Sequence, residues 1–351
     1  MQSPVTHILP LTTIRRERML PVPGKVVVRK GQKVGATDVV AEAKVAPEQM
    51  LLDIARGLGL PPRDADEYLQ CQAGTPVAQG DVLAGPVGIT KRVVRAPRNG
   101  RVIVAGDGQI LLELEGPPYE LKAGIPGIVA DLIDDQGVII EACGALIQGV
   151  WGNGNVDFGL MLTMARSPDE ALKTDRLDVS LRGSVVLAGC CDDPQVIKSA
   201  GELPLRGLIL GSIDSQVLSV AAKVRYPIVV LDGVGRRGMN SAAYKLLTTN
   251  ERREVSLNAE PWDRFTGKRP EVVIPLSASA EAPAPRETAE FVPGQKVLLV
   301  RAPFTGLIGT LTALPSGFGV LPNGLKTQVA EIDLEGGDHV VVPLANLEVL
   351  V

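Results

Sequence analysis

Between Gly183 and Gly238 the chain alternates unbroken apolar runs with amphipathic segments. Residues 185–188, 207–210 and 228–231 are apolar at nearly every position, the pattern of strands covered on both faces. Residues 194–200 and 215–224 instead carry apolar side chains at helical spacing, and 240–247 read as the next helix. The order strand–helix–strand–helix–strand predicts a parallel arrangement with right-handed crossovers. In such a sheet the loops leaving the carboxyl ends of the strands gather along one edge, where ligands bind.

The rest of the chain reads as shorter strands punctuated by glycine. Val26 and Val28 begin one such run and residues 39–41 another, with a Gly turn between; residues 73–114 repeat the style. The intervening stretch 46–72 differs. Met50, Leu51, Ile54 and Leu58 lie at helical spacing, Gly57, Gly59, Pro61 and Pro62 stop the run, and acids from Asp64 suit the start of a second short helix. A helical hairpin is predicted there. Residues 138–142 and 145–150 read as strands after a turn at 134–137, and Trp151 to Asn155 as a tight Gly-containing turn. Ser167, Pro168 and Glu170 form a helix-start signature, predicting a short helix over 169–174. Residues 272–274 give one more strand. The Ala/Pro/Glu-rich residues 277–290 read as a flexible linker, and 291–351 as five strand-like runs broken by Gly, Pro and Asn.

Two stretches resemble known modules. The phrases VRKGQKVGATDVVAEAKV, PVAQGDVLAG and APRNGRVIVAGDGQILLEL resemble the barrel-sandwich hybrid fold of lipoyl and biotinyl carriers, which also occurs as structural inserts in larger machines. In the carriers a lysine at the hairpin between half-copies is modified. Lys44 is its nearest counterpart, but neither M-K-M nor the lipoyl D-K pattern is present, so the resemblance implies a structural β module. Near the other end, GQKVLLVRAPFTGLIGTL resembles the KOW motif, an SH3-like barrel of ribosomal proteins and transcription elongation factors; Gly294, Val297, Pro303, Phe304, Gly306 and Gly309 carry the likeness. KOW modules bind RNA or protein. The ending PIVVLDG is faintly similar to swivelling phosphohistidine domains, which need a reactive histidine that this segment lacks.

The expected architecture is multidomain, β and α/β. A barrel-sandwich-hybrid-like module spans 1–117 with its helical insert at 46–72. A central β plus three-layer-like α/β domain spans 118–276, the linker 277–290, and an SH3-like (KOW) barrel 291–351.

Composition narrows the function. Aromatic residues are only 3% of the chain while Val, Leu, Gly and Pro abound, which suits small aliphatic cores and many turns. A net charge of −4 disfavours a general polyanion binder. No apolar run approaches the roughly 18 residues of a membrane span. In MQSPVTHILPLTTIRRERML the arginines follow the apolar part rather than precede it, so the expected compartment is the cytoplasm. Cys71, Cys143, Cys190 and Cys191 show no CxxC or zinc-type spacing, and His7 and His339 are the only histidines. No metal, cofactor or complete Ser-His-Asp or Cys-His catalytic unit is therefore expected.

Candidate chemistry gathers at the carboxyl ends of the apolar runs. The loops there hold Asp192 and Asp193, Ser212 and Asp214, and the sequence Asp232-Gly233-Val234-Gly235-Arg236-Arg237-Gly238 ahead of a helix. Glycine-freed backbone N–H groups and two arginines before a helix suit an anion, although the sequence is neither a P-loop nor GxGxxG. Carboxylates beside Cys190 and Cys191 raise rather than lower a thiol pKa, which argues against redox chemistry. In the KOW-like stretch Arg301, Phe304 and Phe318 are candidate partner contacts, while Glu331, Asp333, Glu335, Asp338 and Glu348 outnumber Lys296, Arg301 and Lys326. That acidic balance favours a protein partner over nucleic acid. The leading expectation is a non-enzymatic adaptor or scaffold acting through protein–protein contacts. The alternatives are a transcription- or translation-linked factor touching nucleic acid through the KOW barrel, and an anion- or nucleotide-binding protein using residues 232–238.

Overall fold

The apolar runs of the central segment form strands Ser184–Cys191, Gly207–Ile213 and Ile228–Val234, parallel and adjacent in that order, with Val156–Thr163 parallel on the outer side of the first. The structure is a computed structural model that describes residues 2–45, 48–263, 265–276, 284–286 and 288–351. It is predominantly β, with strands in several sheets. The alternation within each parallel strand sorts its side chains onto two faces. Val186, Leu208, Leu210 and Val230 pack with Val196, Ile197 and Val217 of helices Pro194–Glu202 and Ser215–Ala221. Val185, Leu187, Ile209 and Val229 pack with Ala243 and Leu247 of helix Ser241–Thr249 on the other face. Burial on both sides is what requires the unbroken apolar runs.

Contacts divide the chain into two units: Met1–Met19, Val27–Val40 and Lys122–Val351 in one, Leu20–Val26 and Ala41–Leu121 in the other. In the first unit the parallel strands continue into antiparallel ones. Glu254–Asn258 pairs with Val156–Thr163, then come Glu271–Pro275, Gly137–Gln148 and Gly127–Ile133. Strand Ile8–Met19 lies along Gly137–Gln148 for nearly its whole length. Hydropathy conceals this strand because two inward positions are charged. Thr12, Ile14, Arg16 and Arg18 face in; Arg16 meets the buried Glu271 at 2.8 Å and Arg18 meets Glu260 at 2.8 Å.

A second sheet of the same unit has the order Thr288–Glu290, Gln2–Thr6, Leu347–Leu350, Lys296–Leu299, Ile308–Ala313, Val329–Leu334 and His339–Pro343. Its core is Val297, Leu299, Leu311, Ile332 and Val342. The first strand of the chain runs parallel to the last, with Val5 opposite Val349 and Thr6 opposite Leu350. One residue later the chain enters the main sheet, where the buried His7 ring lies 3.0 Å from Gln148 Oε1. Of the expected linker, residues 277–283 and 287 lie outside the described residues, and Thr288–Glu290 is a strand paired with Gln2–Pro4.

The second unit holds a sheet of Glu48–Asp53, Gln109–Leu114, Gly100–Gly106 and Pro76–Val77, and a hairpin of Val82–Val87 with Arg92–Arg95. Ile54, Leu58, Leu83, Val102, Ile110 and Leu112 form its core. The helical hairpin expected at 46–72 is corrected in its first half. Residues 46–47 lie outside the described residues, and Glu48–Asp53 is a strand on Gln109–Leu114. The helix starts only at Ile54, where the Asp53 carboxylate caps Arg56 N; Ile54–Leu58 and Pro62–Asp66 are single short helices. Cross-strand pairing supplies the backbone hydrogen bonds that helical spacing at Met50 and Leu51 suggested would be made locally. The helix expected over 169–174 is likewise absent: Leu172 N donates to Cys190 O, and Cys190 N to Glu170 O. Good capping residues cannot sustain a helix too short to repay its nucleation.

No helix among the described residues is long and apolar enough to cross a membrane. Where the two sheets of the first unit meet, a buried ion pair joins them. Arg269 Nη2 lies 3.1 Å from Glu348 Oε2, Arg269 Nη1 donates to Thr6 Oγ1 at 3.2 Å, and the Thr6 hydroxyl donates to the same Glu348 carboxylate. Leaving either charge alone in this setting costs about 3–5 kcal/mol. Glu348→Ala should lower the unfolding free energy by that amount in urea titrations. Arg269→Met combined with Glu348→Leu should cost less than the sum of the single substitutions.

Candidate functional site

The parallel strands run past the expected ends of the apolar runs, so Cys190, Cys191, Ser212 and Asp232 are strand residues rather than loop residues. Several candidate side chains at this edge serve the backbone. Asp193 caps helix Pro194–Glu202 by accepting from Gln195 N, and Asp214 caps Ser215–Ala221 by accepting from Gln216 N. Arg236 spans the same edge, 3.0 Å from Asp214 and 3.7 Å from Asp192. The Gln216 N–H and then the Arg236 guanidinium hold Asp214 below the usual carboxylate range. Ser212 Oγ donates to Arg237 O at 2.6 Å and accepts from Arg237 N, fixing the chain after the third strand. Gly233 and Gly235 turn this segment at φ +110° and +135°, which a side chain would disfavour. Burial, the largest effect, pushes the Cys191 thiol up to about 12, and Cys190 is raised for the same reason.

Asp232 and Arg237 point to a different surface. Asp232 is only 8% exposed, and its carboxylate accepts from Asn240 N and Asn240 Nδ2, both at 2.8 Å. Asn240 in turn caps the following helix through Ala243 N. Arg237 donates through Nη2 to Val234 O at 2.7 Å and through Nη1 to Thr305 O at 3.3 Å. Thr305 belongs to the segment between Lys296–Leu299 and Ile308–Ala313, so the edge of the parallel sheet is faced by the C-terminal sheet. Ser241 Oγ also donates to the Glu335 carboxylate at 2.7 Å, and a Cβ on Gly306 would come within 3.7 Å of Asp232 Cβ.

Between these surfaces lies a cleft of about 890 Å³. Asp232, Gly233 and Arg237 line one side and Arg301 the other, bringing together residues from both candidate sets. Trp262, Arg269 and Glu348 also line it, together with Ser3, Gln148 and Thr305, and Arg269 is stacked 4.3 Å over the Trp262 ring. Val150, Leu231, Phe291, Leu298 and Leu347 make much of the wall apolar. Three arginines against two acids leave an excess of positive charge in a protein whose net charge is −4. Asp192, Asp193, Ser212, Asp214, Gly235 and Arg236 are not among the lining residues. Phe304 packs partly buried against the C-terminal core, whereas Phe318 is 76% exposed.

Sequence reasoning missed Trp262, Arg269, Glu348 and the wall formed by Ser3 to Val5. The one available signal was a tryptophan in the Pro/Gly/charge-rich stretch 261–270, where no core strand needs it.

Burial pushes the Asp232 carboxyl up to about 6, against the lowering effects of Asn240 and Arg237. The unfolded chain releases this proton near 3.8. The folded protein therefore binds an extra proton between these values, and the resulting stability is full at low pH and lost as pH rises through about 6. Compared with Asp232→Asn, the wild-type protein should lose on the order of 3 kcal/mol between about pH 4 and pH 7, read from denaturant titrations at each pH. No protein-family model matches this chain, and no curated protein sequence matches it.

Proposed function

We propose that the protein binds a small organic anion in the cleft between the parallel sheet and the C-terminal module. The observation that carries this reading is the largely apolar cleft with an excess of arginines beside the carboxyl end of strand Ile228–Val234. Ligand sites of this size are typically apolar with a few converging polar groups. The C-terminal module is read as a KOW-type SH3-like barrel. In support, Lys296–Leu299, Ile308–Ala313, Val329–Leu334 and His339–Pro343 follow one another as a meander, and Leu347–Leu350 returns to pair with the first after a 3₁₀ turn at Leu344–Asn346. Leu20–Val26 and Ala41–Leu121, the second unit, are read as the structural β module that the barrel-sandwich likeness of residues 1–117 implies. The free cysteines fit a reducing cytoplasm.

A thermal-shift screen of the full chain against organic carboxylates and phosphate monoesters tests the reading. A ligand at about a hundred times its Kd adds roughly 2.7 kcal/mol, which raises Tm by about 5 °C. Arg301→Ala should remove that shift while leaving the unliganded Tm unchanged. A panel in which no anion raises Tm overturns the proposal.

A second reading, the adaptor, has its own observation. Phe318, Val320 and Leu325 are 76%, 66% and 51% exposed around the hairpin of Gly319–Val320 with Lys326–Thr327. Clustered exposed apolar side chains of this kind mark protein contacts. Phe318→Ser with Val320→Ser in the full chain should abolish capture of a co-purifying protein without lowering Tm. Equal capture by the variant would exclude the hairpin as the contact.

A further inference from the structure

We infer that the ligand of this cleft is a zwitterion with an apolar body: an apolar α-amino acid, or a short peptide with both termini free. Its ammonium group sits against Asp232 and its carboxylate against Arg301. The inference rests on the organic-anion reading above and deepens it.

The argument begins with Asp232. Each of its carboxylate oxygens accepts one hydrogen bond from Asn240, and each has a second lone pair to offer. Among the described residues Asp232 forms no ion pair, although it is nearly buried. The adjacent Arg237 does not supply one, because its two terminal nitrogens are engaged with the carbonyls of Val234 and Thr305. A buried carboxylate without a cation is costly unless a partner arrives. A ligand bearing only a negative charge would meet the repulsion of Asp232. One bearing only a positive charge would meet Arg237 and Arg301. A zwitterion matches both.

Two other charges of the cleft balance each other. Arg269 is paired with Glu348 and lies over Trp262. Arg301 is exposed at the opposite wall, with its guanidinium available to a carboxylate. Leu231, Val150, Leu298 and Phe291 offer the surface for an apolar side chain. The volume of about 890 Å³ exceeds the needs of a single amino acid and admits a short peptide.

Calorimetric titration of the full chain with matched probes tests this. Leucine, phenylalanine and Leu-Leu keep both charges, N-acetyl-leucine keeps only the negative one, and leucinamide only the positive one. The zwitterions should bind at least roughly tenfold more tightly than either blocked form, the loss expected for one charged hydrogen bond. Leucine against Leu-Leu separates the amino-acid from the peptide ligand. The charged groups sharing the cleft with Asp232 are Arg237, Arg301 and the Arg269–Glu348 pair; zwitterion affinity should fall as pH is lowered through about 6 and Asp232 takes up its proton. Asp232→Asn should bring leucine and N-acetyl-leucine to the same affinity. Because that substitution disturbs Asn240, the probe selectivity of the unaltered protein is the independent readout. If N-acetyl-leucine binds as tightly as leucine, the zwitterion inference falls and the organic-anion reading stands. If neither zwitterion nor blocked anion binds, both fall.

Discussion

The chain's first strand is the constraint on which the main unit depends. Gln2–Thr6 closes the C-terminal sheet against Leu347–Leu350, and after His7 the same segment becomes a strand of the main sheet along Gly137–Gln148. A single continuous backbone therefore belongs to both sheets. The buried triad of Thr6, Arg269 and Glu348 sits at the crossing, contributing one member from each of the segments that meet there. The desolvation of two buried charges offsets much of their attraction, so the pair adds little net stability, while removing one partner is costly. That crossing, with the Arg237–Thr305 and Ser241–Glu335 hydrogen bonds, holds the two walls of the cleft together.

The same economy of polar groups explains why several polar side chains at the sheet edge are committed to the backbone. Asp193, Asp214 and Asn240 each cap a helix, and Ser212 fastens the backbone of Arg237. A helix N-terminus leaves several N–H groups unpaired, so a short polar side chain is required at those positions whatever the protein does. Asp232 stands apart because its backbone duties are performed by Asn240, which caps the helix and also supplies Asp232 with two donors. Asp232 itself lines the cleft.

Much of the parallel sheet was legible in the sequence, since burial on both faces imposes apolar residues at successive positions from Val185 to Leu231. The helices that cover it were legible from spacing and caps. The strand Ile8–Met19 was not, because Arg16 and Arg18 occupy inward positions and find Glu271 and Glu260 far along the chain. Local pattern cannot show a partner more than two hundred residues away. For the same reason the helical spacing of Met50 and Leu51 misleads: both fit either period, and only the pairing of Glu48–Asp53 with Gln109–Leu114 decides. Of the candidate site, Asp232, Arg237 and Arg301 were visible individually as polar residues in glycine-rich segments. Their convergence was not, because it depends on how the C-terminal sheet is held.

The cleft is assembled from seven separated places in the chain: Ser3 to Val5, Gln148 with Val150, Leu231 to Val234 with Arg237, Trp262 with Gly267 and Arg269, Phe291, Leu298 to Ala302 with Thr305 and Gly306, and Leu344 to Glu348. None of them is a recognisable ligand motif, and each has an adequate local explanation as a turn, a strand end or a cap. What makes them a site is the sharing of charges among them. Glu348 neutralises Arg269, the carbonyls of Val234 and Thr305 occupy the ends of Arg237, and Asn240 supports Asp232. Once these commitments are subtracted, Asp232 on one wall and Arg301 on the other are left without an ion-pair partner among the described residues. Selectivity in such a cleft comes from the charges the protein has not already satisfied, since only those distinguish one ligand from another by more than the burial of its apolar surface.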